Sequence, residues 1–250
     1  MYSLTGKTAL VTGASKGIGR GIAMALARAG AQVIVSARDH SALVQLVGEI
    51  ETLGGQAMAL ACDVTCDDAR QRLLSAVVAH TEQLDILVNN VGGGGPNVAM
   101  DSPPQLLEQV FAFNVSPAFA LTQLCVPHMA GGGSIINISS AAARYAQSHF
   151  SAYGTAKAAL SQLTRLLAQE LAPTVRVNGI APGPVLTDAL ARAVPEHLLA
   201  AMAQRTPLKR LGTVEDIAQA ALFLASDASS WMTGKILELD GGAEQTVWPL

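Results

Sequence analysis

The sequence predicts an α/β fold in which helices cover both faces of a doubly wound parallel sheet, giving three layers and about seven strands. Short apolar segments alternate with segments of helical periodicity along the whole chain, as successive βαβ units require. The short segments are continuously apolar rather than alternating, which indicates strands buried on both faces. A glycine-rich turn follows the first of them.

The predicted strands are short runs of mainly aliphatic residues that end near glycine or polar turn residues. The first begins at Thr8 and ends at Thr12, directly before Gly13. The predicted strands cover residues 8–12, 33–35, 57–61, 86–88, 134–138, 175–177 and 236–239.

The predicted helices lie between these strands, where apolar residues recur every three or four positions. Gly30 suits the end of the first helix, and Pro117 and Pro127 predict a kink in the long fourth one. The predicted helices cover residues 17–30, 41–53, 67–81, 106–129, 152–171 and 214–224.

No linker, repeat or low-complexity segment divides the chain, so we predict a single domain over residues 1–250. Three prolines between residues 182 and 206 indicate irregular structure there, and we expect residues 184–206 to form a lid beside a binding site. The lid carries many apolar side chains: Val185, Leu186, Ala189, Leu190, Val194, Leu198, Leu199 and Met202.

The composition excludes several classes of function. A formal net charge of −3 gives no electrostatic footprint for nucleic acid. No stretch has the roughly 18 uncharged apolar residues of a membrane span, and the N-terminus has no apolar signal segment, so we expect no membrane and a cytoplasmic location. Only 14% of the residues are charged, which leaves apolar surface for self-association.

The three cysteines, Cys62, Cys66 and Cys125, form no Cys-x-x-Cys pair and no cluster with zinc spacing. We therefore expect free thiols in a reducing compartment and no metal site.

Glycines at positions 13, 17 and 19 give the turn after the first strand the pattern Gly-x-x-x-Gly-x-Gly. Glycine lets the backbone bend sharply and approach a pyrophosphate with no Cβ in between, and the following helix directs free N–H groups at the anion. At the first strand-to-helix junction of an α/β chain, this pattern predicts a dinucleotide phosphate site. An ordinary glycine-rich turn is the alternative.

The end of the second strand predicts NADP(H) rather than NAD(H). An acidic residue there would bind the ribose 2′-hydroxyl of NAD, but this strand ends Ser-Ala-Arg, with no acid before Asp39. Arg38, with Lys16 from the glycine turn, would place two cations beside a 2′-phosphate. Two solvated basic side chains are the alternative.

Tyr153 and Lys157 are four positions apart in a predicted helix and therefore share one face. An ammonium beside a phenol favours the phenolate and lowers its pKa from about 10, which suits a general acid/base. Alone, such a pair is equally compatible with a solvated helix face.

These motifs, taken with others in their order and spacing, resemble the short-chain dehydrogenases/reductases over nearly the whole chain. The resemblance implies a Rossmann fold and hydride transfer between NADP(H) and a carbonyl or secondary alcohol substrate. The shared elements are residues 12–19, 63–64 and 89–92, Asn114, Ser140, Tyr153, Lys157, Asn178, Pro182, Gly183, Thr187 and residues 240–242.

The resemblance also implies a catalytic set of Asn114, Ser140, Tyr153 and Lys157. Tyr153 would protonate the carbonyl oxygen, Ser140 would donate to it, Lys157 would hold the cofactor ribose, and Asn114 would interrupt a helix and hold a relay water. Ser139 is the alternative serine, although its spacing fits less well. The predicted cofactor contacts are Gly13, Ser15, Lys16, Gly17, Ile18, Gly19, Arg38, Asp63, Val64, Asn89, Gly92, Tyr153, Lys157, Pro182, Gly183, Val185 and Thr187.

Two departures from the family pattern concern the segment after the fourth strand. The family usually has Asn-Asn-Ala-Gly where this chain has Val91, for which we expect a small effect on affinity. The run of four glycines at residues 92–95, before Pro96, is similar to that of several bacterial hydroxysteroid dehydrogenases. A flexible loop that only gives room near the nicotinamide is the alternative.

The substrate stays open between a bulky apolar alcohol such as a hydroxysteroid and a 3-oxoacyl thioester on acyl carrier protein. The acidic carrier would need a basic patch beside the cleft. A catalytically inactive nucleotide-binding scaffold is a third reading, and an enoyl-thioester reductase is disfavoured because those relatives space tyrosine and lysine more widely. The candidate patch consists of Arg144, Arg192, Arg205, Lys209 and Arg210.

The resemblance further implies a homotetramer, or a homodimer, built through helices at about residues 105–129 and 152–171. The C-terminal residues 246–250 either cover their own subunit or reach a neighbour's cleft.

Overall fold

A computed structural model describes residues 2–81 and 83–248 of the chain. Seven strands form one parallel sheet in the order β3-β2-β1-β4-β5-β6-β7. The strands are β1 (Thr8–Thr12), β2 (Gln32–Ala37), β3 (Gln56–Ala61), β4 (Ile86–Asn89), β5 (Gly133–Ile138), β6 (Val175–Pro182) and β7 (Ile236–Leu239). The predicted doubly wound parallel sheet is confirmed.

The helices of the described residues cover both faces of the sheet. They are α1 (Gly17–Arg28), α2 (His40–Thr52), α3 (Asp67–His80), α4 (Pro104–Asn114), α5 (Ser116–Cys125), α6 (Ser151–Leu171), α7 (Asp188–Ala193), α8 (Glu196–Arg205) and α9 (Val214–Ala225).

Successive residues of each central strand enter two different cores, because side chains alternate across a strand. On β1, Ala9 and Val11 pack with α1, α2 and α9, whereas Leu10 packs with α3, α5 and α6 on the opposite face. Since both faces of the strand are buried, its sequence is apolar throughout rather than alternating.

Gly21 brings α1 and α9 into close contact. A Cβ at this position would collide with Cγ1 of Val214, the first residue of α9, so only glycine fits between the two helices. This close packing fixes α1, and with it the turn that precedes the helix, against the sheet.

The strand β6 extends to Pro182, beyond the predicted end at residue 177, and includes the polar residue Asn178. Its side chain is fully buried and satisfied within the structure: Nδ2 donates to the Met232 carbonyl at 2.9 Å and Oδ1 accepts from the Lys235 amide at 3.0 Å. A buried polar residue that finds such partners is compatible with the middle of a strand.

The long helix predicted at residues 106–129 is two helices, α4 and α5, which break at Val115. Pro117 lies in the first turn of α5, where a missing N–H is tolerated, and Pro127 lies in the 3₁₀ turn that follows α5. By length and composition alone, Pro104–His128 would suffice to cross a membrane. The break and the packing of α4 on α6 and of α5 on β4 instead indicate a helix pair on the surface of the sheet domain.

The lid region is also more regular than predicted, since it contains α7 and α8. Pro195 directly precedes α8, so this proline starts a helix instead of preventing one. Hydrogen bonds of Gly212 with Pro184 and Leu186 anchor the start of the lid region to the segment before α9.

Candidate active site

The strand order reverses between β1 and β4, and the connections after these strands leave a crevice at the carboxyl edge of the sheet. A cleft of about 950 Å³ runs along this edge to the C-terminal residues. Most of the predicted cofactor contacts line it: Gly13, Ser15, Lys16, Gly17, Ile18, Arg38, Asp63, Val64, Gly92, Tyr153, Lys157, Pro182, Gly183, Val185 and Thr187.

Gly19 and Asn89 are buried and are not among the residues that line the cleft. A Cβ on buried Gly19 would collide with the carbonyl oxygen of Gly13, so glycine here lets α1 pack against its own turn. Asn89 is buried, and its Nδ2 donates to Asn137 Oδ1 at 2.9 Å. Both residues support the cleft from behind.

Asn90 is a site residue that the sequence analysis missed. Its Nδ2 donates to the carbonyl oxygens of Thr12 and Gly13, at 3.1 and 3.2 Å, and its backbone N–H donates to Thr12 Oγ1 at 3.1 Å. These bonds tie the end of β4 to the glycine turn. The strand pleat sends Asn89 and Asn90 in different directions, so the Asn-Asn motif serves two functions.

The glycine turn has the backbone geometry of an anion site. Gly13 and Gly17 have φ values of +63° and +57°, which favour glycine. A Cβ on Gly13 would come within 2.8 Å of Asn90 Nδ2. Lys16 precedes α1 and makes no side-chain capping bond, so the first N–H groups of that helix remain available to a ligand.

At the end of β2, the structure separates the roles of Arg38 and Asp39. Asp39 caps α2: its Oδ1 accepts from Ser41 Oγ at 2.8 Å and from the Ala42 amide at 3.1 Å. The bond from Ser41, followed by that from Ala42, lowers the pKa of this exposed carboxyl. Arg38 is exposed and borders the cleft.

Asp63 borders the cleft beyond the end of β3. One carboxylate oxygen, Oδ1, accepts from Thr65 Oγ1 at 2.7 Å and from the Thr65 amide at 3.0 Å. These two bonds lower the pKa of Asp63, so the group is an anion that can still accept hydrogen bonds at Oδ2.

The structure distinguishes the two serines after β5. The Ser139 hydroxyl is buried, bonds to Ser161 Oγ at 2.6 Å and donates to the Lys157 carbonyl at 3.0 Å. Ser140 borders the cleft beside Tyr153, and its Oγ accepts from the Ala142 amide at 3.2 Å. This bond uses an acceptor site of the hydroxyl, and the hydroxyl also interacts by hydrogen bonding with Tyr153.

Tyr153 and Lys157 lie on the first turns of α6 and face the cleft together. Lys157 Nζ is 5.8 Å from the centroid of the Tyr153 ring. The lysine is 3% exposed, and among the described residues only the Ile138 carbonyl accepts a hydrogen bond from it, at 2.9 Å. An ammonium has three N–H donors, so two remain for other groups in the cleft.

Burial shifts the pKa of each group in the direction that disfavours its charged form. It lowers the pKa of Lys157 to about 8 and raises the pKa of Tyr153, although interaction with Ser140 acts in the opposite direction on the tyrosine. The Tyr153 pKa is therefore raised, whereas the spacing of Tyr153 and Lys157 predicts that it is lowered. Desolvation of the phenol, which the sequence did not reveal, is the larger effect.

Asn114 joins the site through the glycine-rich segment after β4. Its Oδ1 accepts from the Gly93 amide and its Nδ2 donates to the Gly93 carbonyl, both at 2.9 Å. It is the last residue of α4, directly before the break at Val115, so it does interrupt a helical stretch. A Cβ on Gly92 would lie 2.6 Å from Asn114 Oδ1 and 2.7 Å from Lys157 Nζ.

The segment after β6 closes the cleft over the glycine turn. Thr187 Oγ1 caps α7 by accepting from the Leu190 amide at 3.2 Å, and a Cβ on Gly17 would meet its methyl group at 3.5 Å. Thr187 therefore faces the phosphate turn across the cleft. Val185 is buried in the core and anchors this segment.

The C-terminal residues Thr246, Val247 and Trp248 line the cleft of their own subunit. The Trp248 ring meets Phe150 edge-on at a centroid distance of 5.3 Å, and Phe150 in turn meets Tyr153 at 6.2 Å. The described residues of the tail therefore lie at the cleft of their own subunit, and the last two residues of the chain lie outside those described.

Two of the five cations in the proposed basic patch for an acidic carrier have carboxylate partners. Arg144 contacts the carboxylates of Glu238, Asp240 and Glu244 at 3.0, 2.7 and 3.1 Å. Arg210 forms an ion pair with Asp216 at 2.6 Å. These ion pairs weaken the attraction of the patch for another acidic surface.

Comparison with known proteins establishes the family. Residues 13–244 match the profile of a family described as enoyl-(acyl carrier protein) reductase. The chain is 48% identical to an uncharacterized oxidoreductase of Mycobacterium tuberculosis, over 97% of this chain and 94% of the relative. It is 44% identical to the 7α-hydroxysteroid dehydrogenase of Escherichia coli K12, over 97% and 96% of the two chains.

Solved structures agree with these relatives. A 7α-hydroxysteroid dehydrogenase complexed with NADH and 7-oxo glycochenodeoxycholic acid superposes with a TM-score of 0.93 at 44% identity, covering 97% of this chain and 96% of that one. A putative gluconate dehydrogenase from Agrobacterium tumefaciens gives a TM-score of 0.92 at 33% identity, covering 96% and 97%. The protein belongs to the short-chain dehydrogenase/reductase family and is an oxidoreductase.

We expect the burial of Lys157 to make stability depend on pH. Its pKa is about 8 in the folded protein against an ordinary 10.5, so between these values the unfolded chain binds the extra proton and stability rises with pH. Lys157→Met should remove a rise of roughly 2–3 kcal/mol in the free energy of unfolding between pH 7 and pH 10. Urea unfolding of both proteins at several pH values measures this difference. The same pH dependence in the two proteins would show that Lys157 keeps an ordinary pKa.

Proposed function

We propose that this protein transfers hydride between NADP(H) and a carbonyl or secondary alcohol, with Tyr153 as general acid/base. The observation that carries the proposal is the convergence of Ser140, Tyr153 and Lys157 on one cleft, at the carboxyl edge of a parallel sheet and next to a glycine turn.

The cleft fits a dinucleotide. Gly13 and Gly17 line the cleft with backbone of positive φ, and no side chain caps the first N–H groups of α1, which can therefore bind a phosphate. Asp63, just after the end of β3, would accept a hydrogen bond from an adenine amino group. A bound nicotinamide would supply the hydride for reduction, or accept it for oxidation.

Three features favour NADP(H) over NAD(H). Oδ1 of Asp39, the first acidic residue after β2, caps α2, which leaves only Oδ2 of this carboxylate for a ligand. Arg38 is exposed at the cleft, and Lys16 approaches the cleft from the glycine turn. Two cations suit a 2′-phosphate. The solved dehydrogenase with NADH is therefore a relative from which we expect this chain to differ in cofactor choice.

In the reduction direction, the Tyr153 hydroxyl donates its proton to the carbonyl oxygen as that oxygen gains negative charge. The Ser140 hydroxyl, which interacts with Tyr153, donates a second hydrogen bond to the same oxygen and stabilises the charge. In the oxidation direction, the Tyr153 phenolate removes the hydroxyl proton of the alcohol. Ser140 and Tyr153 are partly buried, which makes these hydrogen bonds stronger than they would be in water.

Lys157 and Asn114 complete the proton path. The ammonium of Lys157 stabilises the phenolate left on Tyr153 and has two further donors for the ribose hydroxyls of the cofactor. Asn114 holds the backbone of Gly93 in place beside the lysine, where a water would connect Lys157 with solvent. An inactive scaffold would not need this complete set.

For the substrate we propose a bulky apolar alcohol or ketone, with a hydroxysteroid as the leading candidate. The substrate end of the cleft is lined by Phe150, Met202, Val247 and Trp248, together with the glycine-rich segment before Pro96. A 7α-hydroxysteroid dehydrogenase is also among the similar relatives. An acyl carrier protein substrate is disfavoured by the ion pairs of Arg144 and Arg210.

The enoyl reductase description of the family profile does not determine the reaction of this chain. Tyr153 and Lys157 are four positions apart on one helix, the spacing of the carbonyl-reducing members that the chain resembles. We therefore expect no reduction of enoyl thioesters.

We further propose a homotetramer, or a homodimer, in a cytoplasmic location. Exposed apolar side chains on α4, α5 and α6, including Leu107, Phe111, Phe119 and Leu166, would be covered by such an assembly. Cys62, Cys66 and Cys125 are free thiols, as a reducing compartment requires.

Tyr153→Phe should lower kcat by a factor of roughly 100 or more and leave cofactor affinity nearly unchanged, because it removes the proton donor and keeps the ring. Steady-state kinetics with NADPH and a cyclic ketone, together with fluorescence titration of NADPH, measure both quantities. Tyr145→Phe is the matched control, since Tyr145 lines the same cleft outside the catalytic set, and we expect it to lose less than about tenfold. A wild-type rate in Tyr153→Phe would refute the assignment.

Arg38→Asp should shift the preference from NADP(H) toward NAD(H), because it replaces an attraction for the 2′-phosphate with a repulsion. We expect the ratio of kcat/KM values for NADPH and NADH to fall by a factor of roughly 100 or more, equivalent to about 3 kcal/mol. Arg72→Asp on α3 makes the same charge change outside the cleft and should leave the ratio unchanged. An unchanged ratio in Arg38→Asp would place the phosphate contact elsewhere.

A further inference from the structure

The glycine run at residues 92–95 packs its backbone directly against the catalytic side chains. The four positions are not equivalent, although the sequence repeats the same residue. A Cβ on Gly92 would meet Asn114 and Lys157, and a Cβ on Gly94 would meet Tyr153, whereas a Cβ on Gly95 would point into open space.

Gly94 makes the closest approach to Tyr153. A Cβ there would lie 2.8 Å from Cδ2, 3.0 Å from Cβ and 3.1 Å from Cγ of the tyrosine. The Tyr153 Cβ is fixed by the backbone of α6, so turning the ring about its side-chain bonds cannot relieve all three contacts. Either the ring axis or the loop would have to move.

The loop is held at both ends and cannot withdraw easily. Asn114 makes two hydrogen bonds of 2.9 Å with the Gly93 backbone. Beyond the run, the Asn97 amide donates to the His149 carbonyl at 2.6 Å, just before α6, and Asn97 Nδ2 donates to the Gly95 carbonyl at 2.8 Å. These bonds attach the glycine run to the start of the helix that carries Tyr153.

Phe150 contacts the Tyr153 ring as a second neighbour, edge-on at 6.2 Å. It is buried, and it is itself packed against Trp248 at 5.3 Å. The catalytic ring therefore has two packing partners, the Gly94 backbone and the Phe150 ring.

We propose that Gly94 is a positioning residue for Tyr153: its bare backbone sets where the phenol lies, and no larger residue fits. This inference rests on the proposed catalytic role of Tyr153. It differs from a flexible loop that only gives room near the nicotinamide, because it assigns the requirement for glycine to position 94 and not to position 95.

The expected effect follows from the overlap. A methyl at position 94 would push the ring by roughly 0.6 Å, from a 2.8 Å approach to an ordinary 3.4 Å contact. Displacement of a reacting group on this scale costs a factor of roughly 10–100 in turnover. We expect Gly94→Ala to lower kcat by that factor and to change KM for the substrate and affinity for NADPH by less than about threefold.

Gly48→Ala on α2 is the matched control. It makes the same chemical change outside the cleft, neither glycine has a left-handed φ, and its methyl would meet no atom within 4 Å. We expect kcat within about twofold of the wild-type value. Equal losses in Gly94→Ala and Gly48→Ala would overturn the proposal, and so would a wild-type kcat in Gly94→Ala.

A double-mutant cycle with Tyr153→Phe separates action through the tyrosine hydroxyl from general damage to the loop. If Gly94 acts by placing that hydroxyl, Gly94→Ala should lower the residual rate of Tyr153→Phe by less than about threefold, well below its effect in the wild-type protein. If the rate loss of the double variant equals the product of the losses in Gly94→Ala and Tyr153→Phe, the positioning role is contradicted.

Two further outcomes are decisive. A wild-type rate in Tyr153→Phe would refute the proposed function and this inference with it, whereas an inactive Tyr153→Phe beside a fully active Gly94→Ala would refute only the inference. If Gly94→Ala loses NADPH binding, the affinity of Gly94→Ala/Tyr153→Ala for NADPH shows whether contact with the Tyr153 ring causes the loss. Recovery of binding on removal of the ring would support the contact, and continued loss would overturn it.

Discussion

The rest of this site depends on the interaction between the buried ammonium of Lys157 and the neighbouring Tyr153 phenol. The ammonium lies 5.8 Å from the Tyr153 ring and has one protein acceptor among the described residues, the Ile138 carbonyl. Burial lowers its pKa to about 8 and raises the pKa of the neighbouring phenol. Desolvation therefore disfavours the charged form of both groups.

The lowered pKa of Lys157 affects catalysis. The ammonium can favour the Tyr153 phenolate only while it remains charged, so hydroxyl groups of a bound cofactor, by accepting its two spare hydrogen bonds, would raise its pKa and lower that of the tyrosine. The free protein would then be only partly prepared for proton transfer, and cofactor binding would complete the site. Ser140 and the Gly93 contacts of Asn114 are already in place.

The fold brings these groups together because each follows a strand at the same edge of the sheet. Much of this arrangement could be predicted from the sequence, since continuous apolar strands, the glycine turn and the Tyr153–Lys157 spacing are local patterns. The roles of Asn90, Phe150 and Trp248 depend on contacts between distant segments. No local pattern encodes such contacts.

The errors of prediction have the same origin. The predicted strand stops at residue 177, just before Asn178, because nothing nearby in sequence shows that Met232 and Lys235 satisfy the Asn178 amide. Arg144 looked like part of a free basic patch because its carboxylate partners are about a hundred residues away in the chain. The pKa of Tyr153 was expected to fall because charge proximity can be read from spacing, whereas desolvation requires the packed structure.

The most direct test of this account is the ionisation of Tyr153 with and without bound NADP⁺. The chain has only three tyrosines, so ¹³C labelling of their Cζ atoms gives three signals, and the Tyr153 signal is the one lost in Tyr153→Phe. The account predicts a pKa above the ordinary 10 in the free protein and a clear fall toward neutrality in the complex. A Tyr153 pKa that stays above 10 in both states would contradict it.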